Sequence, residues 1–434
     1  MLTINREEES LLLTALRRAN ENSPFWRNRL RDQGVTEADL RPGFPFHSLK
    51  PVSKADILAD QRNHPPFGSL LAVPETDIRR IHKTSGTSTS PFLIALTERD
   101  IEDTYTASVR AFQHAGMGPQ DRVAHCLNFN MWSGGVTDYI PIERTKATGI
   151  PFGVGNTSML LQLIPALNIN AISSTPSYMF TLRDRCREET GAPSKSLGLK
   201  RGYFGGEGLL QLPEVRAEIE AEFGMMAFDA NYGMSEVTSI IAGEGIERDG
   251  LEYHTYGILF AELVDKNGAT VPIEVGARGE LVFSTLRRQA QPLFRYKTND
   301  IAEILAVSIG DDGLLRMRMK VVGRTDEMIV VRGVNFFPQS IQSIIGPFEP
   351  QISRVFRVVR PHGPVDAITV ALETSLPDGD ERDALARRFV QRVSTMLQVR
   401  TKVAWLDDGT LPRDGNKSQF LIEADDIPAL KSQS

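Results

Sequence analysis

Gly323-Arg-Thr-Asp-Glu-Met-Ile-Val-Val-Arg-Gly-Val-Asn-Phe-Phe-Pro338 reads as a charged turn followed by an apolar strand that a glycine interrupts. Further on, Leu411-Pro-Arg-Asp-Gly-Asn-Lys417 adds a lysine in a turn. Together they predict a small, mobile, cationic domain suited to nucleotide chemistry. Beyond Arg324 the apolar segments Met328-Ile-Val-Val331, Val355-Phe-Arg-Val-Val359 and Ala367-Ile-Thr-Val-Ala-Leu372 precede a helix on which Leu385, Phe389, Val393, Met396 and Leu397 share a face. That is the texture of a compact α+β unit. The predicted boundary falls at Thr325-Asp326, giving domains of residues 1–325 and 326–434.

Upstream of this unit, most of the 434 residues remain, and the whole exceeds the size at which one core stops growing. Leu11, Leu12, Ala15, Leu16 and Ala19 recur at helical spacing until Asn22-Ser-Pro24 ends the helix. From Thr84 to Phe283 short apolar segments alternate with helical ones. Ala171-Ile-Ser-Ser-Thr175 leads into Pro176 and a helix from Ser177 to Glu189, with proline where a first helical turn tolerates it. The fold class expected is α/β, a large N-terminal domain carrying a small α+β C-terminal one.

A hydrophobic content of 41% and a charged content of 24% belong to an ordinary globular protein. The net charge of -6, without long runs of either sign, speaks against nucleic acid as a partner. Cys126 and Cys186 are too few and too separated for a disulfide framework or paired metal ligands, so a reducing cytoplasm is expected. The apolar run Leu11 to Leu13 is too short for a signal or a span, so no membrane association is expected.

Four segments carry chemistry. Lys83-Thr-Ser-Gly-Thr-Ser-Thr-Ser-Pro91 packs six hydroxyl side chains around one glycine. Such a turn holds phosphate oxygens, or is simply a polar surface loop; it lacks the Gly-x-x-x-x-Gly-Lys of a Walker loop. Phe204-Gly-Gly-Glu207 and Asn231-Tyr-Gly-Met-Ser-Glu236 read as strand ends breaking into turns, where α/β folds meet ligands, and Glu236 is a candidate Mg²⁺ carboxylate. Gly233-Met-Ser235 half-matches a hydrolase nucleophile elbow, but Val237 stands where a second glycine is required. Arg295-Tyr-Lys-Thr-Asn-Asp300 ends in a carboxylate able to take both hydroxyls of a ribose. Gly153-Val-Gly155-Asn-Thr-Ser158 lacks the third glycine of a dinucleotide fingerprint and reads as a loop. The seven histidines form no His-Glu-x-x-His pattern.

Taken in order, these segments, with Ala19 to Trp26, Thr175-Pro-Ser-Tyr178, Gly279-Glu-Leu-Val-Phe283 and Arg332-Gly-Val-Asn335, resemble the phenylacetate–CoA ligase branch of the acyl-adenylate-forming superfamily. The resemblance implies two half-reactions. A carboxylate attacks the α-phosphate of ATP and releases pyrophosphate, then a thiol, usually that of coenzyme A, displaces AMP.

By that resemblance Lys417 is the adenylation lysine, Glu236 holds Mg²⁺, and Thr84, Ser85, Gly86, Thr87 and Ser88 steady the phosphates. Gly206, Glu207, Asn231, Tyr232, Gly233 and Ser235 contact the nucleotide, Asp300 takes the ribose hydroxyls, and Arg324 lies beside it. Asp326 is the hinge, and Arg332, Gly333, Val334 and Asn335 form the coenzyme A side. Phe129, Trp132, Tyr203, Phe204 and Gly205, with Asn231, are expected to line the acid pocket.

The implied substrates are an aromatic acid (phenylacetate-, benzoate-, salicylate- or hydroxyanthranilate-like), ATP and coenzyme A, with Mg²⁺. A carrier-protein thiol or an amine is the alternative acceptor, and a non-catalytic binding relative the alternative of another class. Relatives are often homodimers.

Two departures stand out. The phosphate loop continues Ser88-Thr-Ser-Pro91 where relatives have Thr-Gly-Lys-Pro, which stiffens the turn and removes a counter-charge. Asn416 replaces the glycine usual before the lysine, and asparagine tolerates the left-handed backbone. The resemblance also implies a place for zinc, since some relatives bind it through cysteines and a histidine in the segments matching Ala242 to His254 and Leu315 to Val321; this chain has His254 but no cysteine in either, so no zinc is expected.

Overall fold

The computed structural model describes residues 6–84, 91–332, 334–361, 365–412, 420–423 and 426. Two compact units emerge, one drawn from the chain up to Gly206 and from Glu220–Val322, the other from Glu207–Ile219 and from Gly323 onward.

In the large unit, Thr148–Ile150, Arg122–His125, Ala171–Ser174, Arg201–Gly205 and Met226–Met234 lie side by side, all parallel. Parallel neighbours need long crossovers, and helices supply them. Ala171–Ser174 runs into the helix Pro176–Thr190 with Pro176 at its first position, and Gly191 ends that helix at φ 67°. All four residues of Ala171–Ser174 are buried, as befits a parallel strand covered on both faces.

At Met226–Met234 the connectivity changes. A tight turn, closed by Val237 N–H donating to the Met234 carbonyl, reverses the chain into Thr238–Glu244, and the strands that follow pair antiparallel. The expected helical alternation up to Phe283 therefore stops early: among the described residues no α-helix lies between Phe223 and Gln342. Tyr296–Ile309 shows why, because its burial alternates with the period of a half-covered strand.

The first helix, Arg6–Asn22, buries Leu12, Leu13, Ala15, Leu16 and Ala19. Asn22-Ser-Pro24 ends it as expected and also begins the helix Pro24–Arg31, since the Ser23 side chain accepts from Trp26 N–H and Pro24 fills the first position. No described helix is long and apolar enough to cross a membrane.

In the small unit, Thr401–Leu406, Ile368–Glu373, Phe356–Val359 and Leu421–Ile422 form a sheet in that order. The helix Asp380–Leu397 covers it through Leu385, Phe389 and Val393. Met396, expected on this buried face, is instead 40% exposed at the last turn. Ile329–Val331 and Val334–Phe336 form a hairpin with Val331 opposite Val334, so the expected interrupted strand is two strands. Arg332, at φ 50°, occupies the reversal. Buried Glu373 accepts from Leu411 N–H at 2.6 Å, and the Arg357 guanidinium holds the Pro412 carbonyl. Val358 N–H donates to the Phe420 carbonyl at 2.7 Å.

Candidate active site

The carboxyl ends of the parallel strands are where α/β sheets gather ligand contacts, most of all where strand connectivity reverses. Gly205 ends its strand there, opposite Asn231, the last residue of Met226–Met234 to pair with it. Gly206 follows at φ 81°, a left-handed conformation that glycine adopts without strain. Gly233 has a different reason to be glycine: a Cβ there would sit 1.9 Å from the Ser239 carbonyl oxygen of the returning strand. Ser235 meets Ser133 through a 2.7 Å hydrogen bond.

Tyr232 Oη donates to Asp300 Oδ2 at 2.8 Å, joining two of the expected nucleotide residues. Asp300 is buried, and its N–H donates to Thr298 Oγ1 at 2.9 Å. Arg295, which begins that segment, is a structural anchor. Its guanidinium is buried against Glu262 at 3.1 Å and donates to the Leu49 carbonyl at 2.7 Å.

Glu236 is buried, and its Oε1 lies 3.0 Å from Lys54 Nζ. Lys54 opens the helix Lys54–Asn63, whose start is fixed by a capping box between Ser53 and Asp56. The capping box is legible in the sequence; the pairing with Glu236 is not. Among the described residues no three His, Cys, Asp or Glu side chains converge as metal ligands. A single carboxylate fits Mg²⁺ where substrate phosphates and water complete the octahedron.

Thr84 closes the hairpin of Arg80–Lys83 with Leu93–Leu96: its N–H donates to the Phe92 carbonyl at 3.0 Å, and its hydroxyl accepts from Phe92 N–H at 3.2 Å. Ser85, Gly86, Thr87 and Ser88 lie outside the described residues, as do Gly333 and Lys417. Glu207 is half-buried in the turn after Gly206. In the small unit, the Arg324 guanidinium forks onto both carboxylate oxygens of Asp326, at 3.0 and 2.9 Å. Arg332 and Asn335 are exposed at the Ile329–Phe336 hairpin, where Val334 begins the second strand.

The expected acid pocket divides. Tyr203 and Phe204 are core side chains, 1% and 0% exposed, which corrects their assignment to the pocket wall. Tyr203 stacks on Phe228 with ring centroids 5.7 Å apart, and its hydroxyl reaches toward Asp121 beside the opposite, amino end of the strands. Strand alternation sends Phe204 to the other face. Trp132 stays at the carboxyl end: its ring lies 3.6 Å from where a Cβ on Gly206 would stand. Phe129 is partly exposed, with its ring 5.6 Å from that of His125.

Two buried histidines, unassigned by the sequence, hold this aromatic segment. His82 Nδ1–H donates to the Met131 carbonyl at 3.1 Å while its Nε2 accepts from the Thr137 hydroxyl at 2.9 Å. His125 Nε2–H donates to the Gly134 and Gly135 carbonyls, both at 3.1 Å, and its Nδ1 accepts from Ser173. Burial pushes both imidazoles down to about 4, so they serve as neutral clamps at neutral pH.

Comparisons with known proteins agree with this geometry. The profile of the AMP-binding enzyme family matches residues 43–286, and that of the AMP-binding enzyme C-terminal domain matches residues 333–424. The phenylacetate-coenzyme A ligase of Escherichia coli (strain K12) is 30% identical over 412 residues, covering 93% of this chain and 91% of its own length. That of Aromatoleum evansii is 32% identical over 402 residues, covering 90% and 87%. Among solved structures, 2-hydroxyisobutyryl-CoA ligase in the postadenylation state, in complex with 2-HIB-AMP, has a TM-score of 0.83 at 26% identity, over 98% of this chain and 92% of that one. The chain belongs to the AMP-binding enzyme family, on the branch of the phenylacetate–coenzyme A ligases.

Proposed function

We propose that the protein is an AMP-forming acid–thiol ligase that activates an aromatic carboxylic acid with ATP and passes the acyl group to coenzyme A. The observation that carries this reading is the match to phenylacetate-coenzyme A ligases over nine-tenths of both chains, through both domains that the two half-reactions require. The Tyr232–Asp300 bond and the buried Glu236, gathered at the connectivity switch of the sheet, support it.

The chemistry assigns each group a task. A carboxylate and a triphosphate are both anions, so adenylation needs positive charge between them in a site poor in water. Lys417 supplies it at the α-phosphate in this reading. Mg²⁺ at Glu236 would neutralise the β- and γ-phosphates. Lys54 keeps a further cation at that carboxylate. Asp300, oriented by Tyr232, accepts the ribose hydroxyls, and Thr84 fixes the base of the phosphate loop. The Trp132 ring shields the reacting carboxylate from water. For the second step, Asp326 is the pivot and the hairpin carrying Arg332 to Asn335 is the face offered to the thiol. Both cysteines are free and buried, which supports a cytoplasmic location.

The test is a panel of carboxylic acids with ATP and Mg²⁺, with and without coenzyme A, read by mass detection of AMP and thioester. AMP and an aryl-CoA are expected. Acyl-adenylate without thioester moves the acceptor to a carrier-protein thiol or an amine. Turnover of 2-hydroxyisobutyrate above every aryl acid overturns the aromatic reading, and no AMP from any acid overturns ligase activity.

A further inference from the structure

Asn231, half-buried where the parallel pairing of its strand ends, donates through Nδ2 to Oδ2 of Asp138. Asp138 lies on the helix Val136–Arg144, behind the aromatic segment, and is 1% exposed. Among the described residues its second oxygen, Oδ1, makes no hydrogen bond of good geometry, although the buried hydroxyl of Ser239 lies near enough to favour the ionised carboxylate. Burial pushes the Asp138 carboxyl up to about 7, against the opposite pull of Ser239 and Asn231. A buried polar pair of this kind costs the fold desolvation, whereas two apolar side chains of the same shape would pack at no such cost.

The pair also fixes which way the amide faces. With Nδ2 committed to Asp138, the carbonyl Oδ1 of Asn231 turns away from the carboxyl, and no described residue donates to it. Rotating the amide would leave an ionised Asp138 without its donor and set two acceptor oxygens against each other. Oδ1 is therefore a fixed acceptor while Asp138 is ionised, above about pH 7; a neutral carboxyl tolerates either orientation of the amide. Asn231 lies against the Gly205–Gly206 turn, where a Cβ on Gly205 would lie 2.4 Å from Asn231 Cβ, and the Trp132 ring lies against Gly206, 3.6 Å from where its Cβ would stand. An aromatic ring and a pre-oriented acceptor thus lie beside adjacent glycines of one turn.

We propose that Asp138 and Asn231 form the polar end of the acid pocket and select an aromatic acid whose ring bears a hydroxyl or amino group donating a hydrogen bond to Asn231 Oδ1. The inference rests on the aryl-acid activation proposed above. Asn231 is the group that touches the ligand, and Asp138 is a positioning residue acting through it. An acceptor that loses its water when the acid binds discriminates against analogues that lack the donor, because it is then left unpaired.

The test compares kcat/KM in carboxylate-dependent pyrophosphate exchange for a benzoate and phenylacetate series: unsubstituted, hydroxyl, amino and methoxy. The methoxy acids match the hydroxyl acids in position but carry no donor. The wild type is expected to favour the best hydroxyl or amino acid over both its unsubstituted and methoxy counterparts by tenfold or more, about 1.4 kcal/mol. In Asn231→Leu the preference is expected to fall below threefold, and in Asp138→Ala to weaken, while loss of packing alone would slow all acids alike. Equal use of hydroxyl and methoxy acids by the wild type overturns the proposal and leaves aryl-acid activation standing. An unchanged ratio in Asn231→Leu does the same. Absence of exchange with every acid defeats the activation reading, and this proposal with it.

Discussion

Tyr232 Oη and Asp300 Oδ2, 68 residues apart in sequence, meet at 2.8 Å. The bond ties the strand at the connectivity switch to the long antiparallel strand Tyr296–Ile309, and it orients the carboxylate that the ribose would meet. Tyr232→Phe removes that orientation and leaves the ring in place. The expected cost is about 1 kcal/mol, roughly fivefold weaker AMP binding by calorimetry, with little change in melting temperature. Unaltered affinity would remove Tyr232 from the nucleotide site.

Lys54 and Glu236 are paired at 3.0 Å, and Glu236 is the buried partner. Lys54→Ala leaves that carboxylate without its cation. Its effect is expected in the first half-reaction: a higher KM for ATP and exchange slowed by about tenfold or more, partly restored in Lys54→Arg. A variant with wild-type exchange would make the pair a surface ion pair of little consequence.

Lys417→Ala separates the half-reactions. Pyrophosphate exchange is expected to fall by about a hundredfold or more, the scale on which one transition-state charge donor matters. Conversion of pre-made acyl-adenylate to thioester is expected to persist, and equal loss of both steps would argue against the assignment.

Gly233→Ala places a methyl group 1.9 Å from the Ser239 oxygen and 2.4 Å from its carbonyl carbon. Neither is a flexible side-chain end, so the two strands must part. A loss of roughly 2 kcal/mol or more is expected, seen as an earlier denaturant midpoint. Unchanged stability would show that the turn relaxes freely.

His82 and His125 are depressed to about 4 by burial, and His254 is driven down to about 3 by burial and by neighbouring His114. Their contribution to stability is present above the unfolded value near 6.5 and is lost as pH falls through about 4. Asp138 acts in the opposite sense: raised from 3.8 to about 7, it contributes below 3.8 and loses that contribution as pH rises through 7. A difference measurement isolates one histidine. The stability gap between wild type and His125→Asn is expected to narrow by on the order of 1.4 kcal/mol per pH unit between about pH 6.5 and 4. A gap independent of pH would mean that His125 already titrates normally.

What the sequence made legible follows from locality. Pro176 after an apolar segment, the glycines at 206 and 233, and the spacing of Leu385, Phe389 and Val393 each report a constraint within a few residues, and each reappears in the fold. Tyr203 was misread because alternation along a strand tells two faces apart but does not tell which end of the strand a long side chain reaches toward. Lys54, His82, His125 and Asp138 were missed because their roles come from partners brought close only by the sheet, and no pattern around any of them announces a partner. The antiparallel half was hidden for a related reason. Apolar runs there suit a buried helix as well as a strand until the turns between them are known.

Pro412 and Phe420 bracket the segment that contains Lys417, and both are moored to the strand Phe356–Val359, the first by Arg357 and the second by Val358. On the proposed assignment of Lys417, the strand Phe356–Val359 would hold the two described residues, Pro412 and Phe420, between which the lysine lies in sequence. Arg357→Ala would cut the first mooring and leave the second in place, so one inner strand of the small unit's sheet also anchors the chain on either side of the candidate lysine.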